Sequence, residues 1–561
     1  MPHHFREWLI GPPLPTYRLA DERLDKLRAL AALSPDALSS IAYANQEIFL
    51  GLVVAGSAGL SLSWGIGLAI ATLLVIVALS YSQTILAYPG GGGSYTVARE
   101  NLGPLLGLIA AAALLIDYVL TAAVSLTAGV AAIASAFPGL WPYRIPLSLA
   151  LLVIITLANL RGMRESGTLI AIPVYLFVGC YLAMLGYGLG RAIVEGPGTW
   201  QHTAPPATRS LTLFLVLHTF ASGSTALTGV EAISNGVPIF QKPEARHARQ
   251  TLALMTLLMV FLFLGSIGLT QYFAIIPGAN ETILSALARR IVGSGIPHVV
   301  IQTSTLLILA VAANTSFAGF PRLASILAQD GYAPRQLSFL GDRLVFSNGM
   351  FLLASLTGLL IIVFGGDTHA LIPLFAVGVF LAFALSQAGM VVHWVRLKGA
   401  GWRTKALVNG IGAFTMTATL LVVAASKFLE GAWFVILLIP LLVLVFRTVN
   451  NHYREIAREL TLRDAVPQPI HPSPPRVVLP ISGVHQGVVE ALRYALSISN
   501  HVTAVYVEIN PGAAEPVRQA WAKWGQGVPL VVLPSPYRSV VGPILEYLDQ
   551  TDREYNDGQL S

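Results

Sequence analysis

Cysteine is nearly missing from this chain. Cys180 is the only one in 561 residues, which excludes an internal disulfide. It lies in an apolar stretch and reads as a small packing residue. Charge is scarce too: Asp, Glu, Lys and Arg make up 11% of the residues against 55% hydrophobic, whereas soluble domains carry roughly 25% charged residues. With a mean hydropathy of +0.68, an ordinary soluble fold is excluded. The constellations of covalent catalysis are also lacking. The glycines at 90–93 are not followed by Lys and Ser/Thr, so they form no nucleotide P-loop. His218 and His298 have no second ligand at metal-binding spacing, and no nucleophile, base and orienting group stand together. Neither an enzyme nor a cofactor is expected. The net charge of +6 is not gathered into a basic stripe, so nucleic acid is not an expected partner.

What the chain has is long apolar runs. A helix needs about 20 apolar residues to cross a bilayer, and about twelve such stretches run between residues 35 and 449. They cover approximately 36–60, 62–87, 104–135, 145–161, 166–190 and 211–237, then 250–275, 294–320, 346–365, 369–394, 406–427 and 431–449. This predicts an all-α polytopic membrane protein over residues 35–449, multi-pass in the cell membrane and a carrier or channel rather than an anchor. Cationic residues set the direction. With both termini cytoplasmic, the inner connections hold Arg6, Arg18, Arg23, Lys26, Arg28, Arg161, Arg164, Lys242, Arg246, Arg249, Arg322, Arg335, Arg343, Arg396, Lys398, Arg403 and Lys405. The outer ones hold only Arg144, Arg191, Arg209, Arg289, Arg290 and Lys427. Residues 1–34 form a cytoplasmic segment without a cleavable apolar core, so the first membrane helix is expected to be its own insertion signal.

Hydropathy collapses after residue 449. Residues 450–475 read as a polar, extended linker with Pro467, Pro469, Pro472, Pro474 and Pro475. Residues 476–561 then change period: 477–481, 502–507 and 528–533 read as buried strands, and 488–498 and 540–548 as helices. The alternation predicts a small cytosolic α/β domain with a parallel sheet. At about 85 residues it is short for an independent core, so a second copy is expected to complete it.

Asp36, Asp117 and Glu231 are ionisable groups inside apolar stretches, where a charge is costly and marks an ion or proton path. Asp36 and Tyr43 are seven apart and share a helix face, although Asp36 after Ser34 and Pro35 also suits a helix N-terminus. Glu47 reads either as a path residue or as a partner for broken backbone. Asp117, Tyr118, Thr121 and Ser125 fall within about a 100° arc of one helix, a single polar stripe, although Ser and Thr also glue membrane helices together. The sixth stretch passes through Ser222, Gly223, Ser224, Thr225, Thr228 and Gly229 to Glu231. Such small and β-branched residues invite an unwound segment, which lipid tolerates only where it lines a cavity, and broken helices at matching places in two halves point to a midplane site. Glu231 has a second reading, as the group that ties down that unwound backbone. Tyr88, Pro89, the four glycines, Ser94 and Tyr95 suit a re-entrant or gating loop. Asn314, Thr315, Ser316 and Arg322 read as vestibule lining or as helix packing.

The segment 88–95, the motifs Asn159-Leu160-Arg161-Gly162 and Glu165-Ser166-Gly167, and Thr228-Gly229-Val230-Glu231 with Ser234-Asn235-Gly236 resemble the amino acid-polyamine-organocation (APC) superfamily. Within it, Pro35 to Ser40 with Tyr43, and in the tail Pro534 to Arg538 with Ser539, Val540, Val541 and Pro543, resemble KimA-type potassium importers of the KUP branch. The similarity spans nearly the whole chain. It implies a LeuT-like core of two inverted five-helix repeats plus two helices, and a universal-stress-protein-like tail. It also implies potassium import by proton symport, with alternating access around unwound helices 1 and 6. Asp36, Tyr43, Asp117, Tyr118, Thr121, Ser125, Thr228 and Glu231 would then follow the ion path, with potassium held at Asp36, Tyr43, Tyr118, Thr121, Ser125 and Thr228. A homodimer through the tail, with cyclic di-AMP as its regulatory ligand, is implied as well. One departure is Phe375, where the resemblance leads one to expect tyrosine; the path loses a hydroxyl there.

The residues themselves lean the same way. A permease for amino acids receives a carboxylate on backbone N–H groups at a glycine-rich break, and residues 39–45 contain no glycine. A potassium ion wants carbonyl, hydroxyl and carboxylate oxygens in place of its hydration shell, and the stripe supplies them without a fixed cation. Glu231 is expected to exchange the coupling proton, with Asp36 the competing candidate. A proton-coupled amino acid or amine permease of the same fold remains the second reading, supported by the general Thr-Gly-Val-Glu signature.

Overall fold

A computed structural model describes residues 24–162, 167–198, 205–278, 280–341, 343–460, 475–510, 512–535 and 539–555. Arg6, Arg18, Arg23, Arg164, Glu165, Ser166, Pro467, Pro469, Pro472, Pro474, Tyr537 and Arg538 lie outside the described residues. The chain forms two compact units, Met1–Glu459 and Leu460–Ser561.

The first unit is helical. Among the described residues, ten helices are long and apolar enough to cross a bilayer. The shorter apolar helix Ser347–Val363 and the interrupted segment Pro35–Ser39 plus Ile41–Val53 complete the twelve expected spans. Their lengths repeat with a period of five spans. Span 2 (Ser63–Ala87, 25 residues) matches span 7 (Glu244–Tyr272, 29 residues), and span 3 (Pro104–Ala136, 33) matches span 8 (Ile296–Gln329, 34). Span 4 (Arg144–Leu160) and span 9 (Ser347–Val363) have 17 residues each, and span 5 (Gly167–Glu195, 29) matches span 10 (Thr368–Leu397, 30). Five is odd, so the second copy lies upside down relative to the first: an inverted repeat, followed by span 11 (Trp402–Ser426) and span 12 (Ala432–Glu459).

Two short helices that hydropathy does not reveal strengthen the match. Ser94–Leu102, with 9 residues, stands between spans 2 and 3, and Ile283–Val292, with 10, between spans 7 and 8. The first ends at Gly103 in the left-handed region (φ 101°), after which Pro104 starts span 3. A short helix, Lys26–Leu33, precedes span 1; Asp25 Oδ1 caps it by accepting the N–H groups of Leu27 and Arg28 at 3.0 and 2.9 Å. Leu24 pairs with the strand-like turn after span 6, donating its N–H to Ile239 O at 2.7 Å.

The discontinuous spans differ in kind. Span 1 is interrupted at Ser40 alone, whose backbone stays in the helical region (φ −61°, ψ −23°). Span 6 is unwound over a longer stretch: helix Leu213–Gly223, a 3-10 turn Ser224–Leu227, extended Thr228, left-handed Gly229 and helix Val230–Asn235. The repeat core packs on small residues; Ala110, Ala111, Ala112 and Ala113 of span 3 are fully buried. Asn159 of the Asn-Leu-Arg-Gly motif donates from Nδ2 to Asn314 Oδ1 at 2.5 Å, joining spans 4 and 8. Span 12 runs on to Glu459, past the point where hydropathy falls away.

Among its described residues the second unit contains three strands, β1 (Arg476–Ile481), β2 (His501–Glu508) and β3 (Leu530–Pro534), paired in parallel in that order. Helices Gln486–Ile498, Ala514–Trp524 and Val541–Tyr555 connect and follow them. The middle helix is missed by periodicity because its one deeply buried aromatic is Trp521, which donates from Nε1 to Val528 O at 2.7 Å and packs on the core of Val488, Leu492, Val502 and Ala504.

Candidate functional site

The breaks of spans 1 and 6 face each other. Ser40 Oγ donates to Ala226 O at 3.0 Å, pinning one break to the other. Gly229 adopts φ +77°, and a Cβ there would run into the backbone of Ala37. Only glycine satisfies both demands. This contact brings Asp36, at the first turn of Pro35–Ser39, against Thr228 and Gly229 around a cavity of about 420 Å³.

Asp36 Oδ1 is buried without a hydrogen-bond partner, and Thr228 Oγ1 is in the same condition. Both residues line the cavity, as do Asp117, Tyr118 and Glu231. Asp117 lies within electrostatic reach of both Asp36 and Glu231. Thr121 Oγ1 donates to Asp117 Oδ1 at 3.4 Å. The Tyr118 ring fits against span 8 only because residue 319 is glycine; a Cβ there would stand 2.5 Å from the ring. Buried polar atoms normally find partners. Unpartnered oxygens beside a cavity that holds three carboxyl groups are suited to a desolvated cation.

Glu231 is held differently. Its Oε1 accepts the backbone N–H of Ser94 at 2.7 Å, its Oε2 accepts Ser94 Oγ at 2.8 Å, and Asn235 Nδ2 donates to Oε1 at 3.4 Å. Ser94 is the first residue of helix Ser94–Leu102, so the carboxyl group sits on an orphan donor at a helix N-terminus. The glycine loop closes on span 6 as well: Gly92 N–H donates to Ser234 O at 3.2 Å, Ser234 Oγ donates to Gly92 O at 3.2 Å, and a Cβ at Gly93 would stand 2.6 Å from Asn235 Oδ1. The position that favours glycine is Gly91, at φ +102° with its Cβ site 3.0 Å from the backbone oxygen of Asn235, in keeping with a gating loop. At the far end of the short helix, Arg99 pairs with Asp330 beyond span 8, and Tyr95 donates to Asp330 Oδ2 at 2.7 Å.

Not every expected residue converges. Tyr43 lines a second cavity, of about 410 Å³, although its hydroxyl lies beside Thr228, so it stands between the two chambers. The interruption at Ser40 thus sends Asp36 and Tyr43 of one helix face toward opposite cavities. Thr121 and Ser125 are buried at 4% and 2% exposure and line neither cavity. Phe375 is buried and lines neither. The expectation that no fixed cation accompanies the stripe is corrected: exposed Arg322 lines the first cavity, because span 8 extends to Gln329 and brings its last turns alongside. In the second cavity, Glu47, 2% exposed, pairs through Oε2 with His369 Nδ1 at 2.8 Å. That pair joins residues 322 apart and leaves no sequence signal. Among the described residues no group of three His, Cys, Asp or Glu is arranged to hold a metal ion.

A family model described as amino acid permease matches residues 28–446, and one described as KimA potassium transporter C-terminal domain matches residues 473–561. The chain is 42% identical to the potassium transporter KimA of Bacillus subtilis (strain 168), over 100% of this chain and 92% of that protein. It is 26% identical to the probable potassium transport system protein Kup of Anaeromyxobacter dehalogenans (strain 2CP-C), over 74% of this chain and 58% of that one. It is also 26% identical to the low-affinity putrescine importer PlaP of Escherichia coli (strain K12), over 48% of this chain and 59% of that one. Broken spans around a buried acidic cavity, an inverted repeat and these likenesses agree: the chain is a multi-pass membrane transporter of the amino acid permease family, and belongs to the group of KimA.

Proposed function

We propose that this protein imports potassium ions together with protons, with both termini in the cytoplasm. The observation that carries the reading is the pair of buried, unpartnered oxygens, Asp36 Oδ1 and Thr228 Oγ1, at the facing breaks of spans 1 and 6. A dehydrated monovalent cation accepts such oxygens, and the nearby Asp117 carboxyl supplies compensating charge. Asp36, Asp117, Tyr118 and Thr228 form the cation chamber. Tyr43 closes it toward the outer cavity, and Thr121 and Ser125 continue the stripe behind Asp117. The names of two relatives, KimA and Kup, support potassium as cargo.

Glu231 is the proton acceptor in this reading. As a carboxylate it accepts both donors of Ser94 and holds the glycine loop shut; a proton on either oxygen turns an acceptor into a donor and loosens that hold. Its structural role and its proton role are then one role. Asp36 is the other carboxyl group able to take the proton. The tail is proposed to dimerise and to bind cyclic di-AMP; full-length protein showing neither dimers nor binding of that dinucleotide would remove this part.

The second reading, an amino acid or amine permease, draws on Arg322, a cation able to meet a carboxylate, and on the likeness to a putrescine importer. The deciding experiment is uptake into proteoliposomes holding purified full-length protein and an inward proton gradient. Rubidium accumulation with no accumulation of amino acids or diamines is expected. The reverse would overturn the potassium reading.

A further inference from the structure

The Glu231 contact has a counterpart on the opposite face. Glu231 follows the break of span 6 and accepts the N–H of Ser94, the first residue of Ser94–Leu102, a helix of the other repeat. The five-span period maps span 6 onto span 1, and Ser94–Leu102 onto Ile283–Val292. On span 1, Gln46 follows the interruption at Ser40, and its Oε1 accepts the N–H of Ile283, the first residue of that second helix, at 2.5 Å. In both places the donor is an orphan of the first helical turn that the local cap does not satisfy. Gly93 has no side chain to offer, and Thr282 Oγ1 is used by Ser285 N. Gln46 lines the second cavity as Glu231 lines the first.

Both ends of Ile283–Val292 are tied by side chains. Its C-terminus is bolted to span 5, where Arg191 Nη1 donates to Arg290 O at 2.6 Å and to Ile291 O at 2.7 Å. Its N-terminal side is held by Gln46, by Ser135 Oγ, which accepts Thr282 N–H at 3.0 Å, and by a hydrogen bond between Ser285 Oγ and His298 Nε2 of span 8 at 2.9 Å. Gln46 is the contact that comes from a broken span and lines the second cavity.

We propose that Gln46 is a gating residue, and that its hydrogen bond to Ile283 is the outer latch, the two-fold counterpart of the inner latch between Glu231 and Ser94. The proposal rests on the alternating-access reading above. Span 1 holds the outer lid closed and releases it when the outer cavity opens. The pair is asymmetric in chemistry. A glutamine takes no proton, so the outer latch ignores pH while the inner one answers to it.

The test uses the full-length chain with Cys180→Ala and Thr305→Cys, since Thr305 lines the outer cavity and is 1% exposed. A membrane-impermeant cationic methanethiosulfonate is applied from outside, without cargo or gradient. Gln46→Ala is expected to raise the labelling rate roughly two- to tenfold, the worth of one neutral hydrogen bond. Gln46→Glu keeps the acceptor: as a carboxylate at about pH 8 it makes a charge-assisted bond and labels more slowly than the parent, and as the outside falls toward about pH 5 the carboxylate gains a proton and the rate rises to the parent's. Glu47 with His369, Asp367, Glu281 with Arg289, Arg144, and His298, bonded to Ser285 in the first turn of the same helix, also face this region and titrate or carry charge. They are present in parent and variant alike, so the ratio of the two rates isolates residue 46. Labelling of Gln46→Ala at the parent rate, or a Gln46→Glu to parent ratio that stays flat with pH, would overturn the latch. A parent that takes up no rubidium would sink the potassium reading and leave the labelling comparison standing.

Discussion

Replacing Glu231 by Gln separates a staple from a proton site. The carboxyl group takes two hydrogen bonds from one residue, Ser94 N at 2.7 Å and Ser94 Oγ at 2.8 Å. Glutamine has nearly the same shape, and the Ser94 hydroxyl can accept as well as donate, so both contacts survive in geometry. What is lost is charge assistance. Hydrogen bonds to a charged acceptor contribute about 1.5–3 kcal/mol against about 1 for a neutral pair, so the change weakens the latch by roughly 2 kcal/mol in all, about thirtyfold in its equilibrium. The variant therefore imitates the protonated protein permanently. In proteoliposomes at a fixed rubidium gradient, its uptake is expected to be indifferent to an imposed pH gradient that accelerates the wild type several-fold. A thiol placed at Thr96, which lines the inner cavity, is expected to label faster from the inside in the same variant. Ser94→Ala is the control: it removes one donor and loosens the loop comparably, but leaves the carboxyl group to titrate, so its uptake keeps the pH response. A Glu231→Gln protein that responds to the pH gradient as the wild type does would refute the proton role and leave Glu231 a tether.

Three further outcomes follow from contacts already described. Asp36→Asn keeps volume and removes charge next to the proposed ion; unit charges at about 4 Å in an effective dielectric of about 20 interact by about 4 kcal/mol. Allowing for water's competition, rubidium uptake should fall on the order of a hundredfold while membrane insertion, read by surface labelling, is unchanged. Gly229→Ala forces a non-glycine residue to φ +77° and a methyl group against Ala37, so the contact between the two breaks should open. The left-handed conformation alone costs about 1–2 kcal/mol, and both uptake and the midpoint of thermal unfolding in detergent should drop. His369→Ala leaves the buried Glu47 carboxyl group without its partner. Because the His369 side chain is 52% exposed, the loss should lie below the roughly 3–5 kcal/mol of a fully buried pair, readable as a lower unfolding midpoint that Glu47→Gln partly restores.

The features legible in the sequence are those that hydropathy makes conspicuous. Asp36, Asp117 and Glu231 stand out because a carboxyl group in an apolar run has few innocent explanations, and all three line one cavity. Gly229 and Gly91 mark close backbone approach, which is what they provide, whereas a Cβ at Gly90 would meet nothing. Illegible were the helices Ser94–Leu102 and Ile283–Val292, which are too short for a membrane period and, in the first case, too polar for an apolar one. Glu47 with His369 and Gln46 with Ile283 join residues hundreds of positions apart, and a pairing of that separation is set by the repeat's geometry rather than by any local pattern. Arg322 was readable as vestibule lining, yet its effect on the cavity depends on how far span 8 runs, and helix ends are where local sequence says least.

The unequal breaks explain why residues 39–45 manage without glycine, and what that implies for cargo. Span 6 goes through extended Thr228 (φ −64°, ψ 161°) into left-handed Gly229, so its backbone leaves the helical ladder altogether. Span 1 does not. Ser40 stays helical, Ala44 N–H still finds Ser40 O at 2.9 Å, and Ser40 Oγ closes on Ala37 O at 2.6 Å and Ala226 O at 3.0 Å. A carboxylate cargo needs bare N–H groups, and those come from unwinding the start of a helix. Here span 1 keeps helical dihedrals at Ser40 and presents a side-chain carboxyl group, Asp36, one oxygen of which has no partner. In the proposed reading a cation entering that chamber is met by the carboxyl groups of Asp36 and Asp117, which a carboxylate cargo would not be. Arg322 does not reverse the balance, because it is exposed and lines the chamber from the end of span 8 nearest Gln329, while Asp36 and Thr228 sit at the breaks. On the proposed potassium reading, the gentle break of span 1 is what favours a cation over an anion. Introducing glycine at Ser40 and Ile41 is the change that would push this chamber toward anionic cargo.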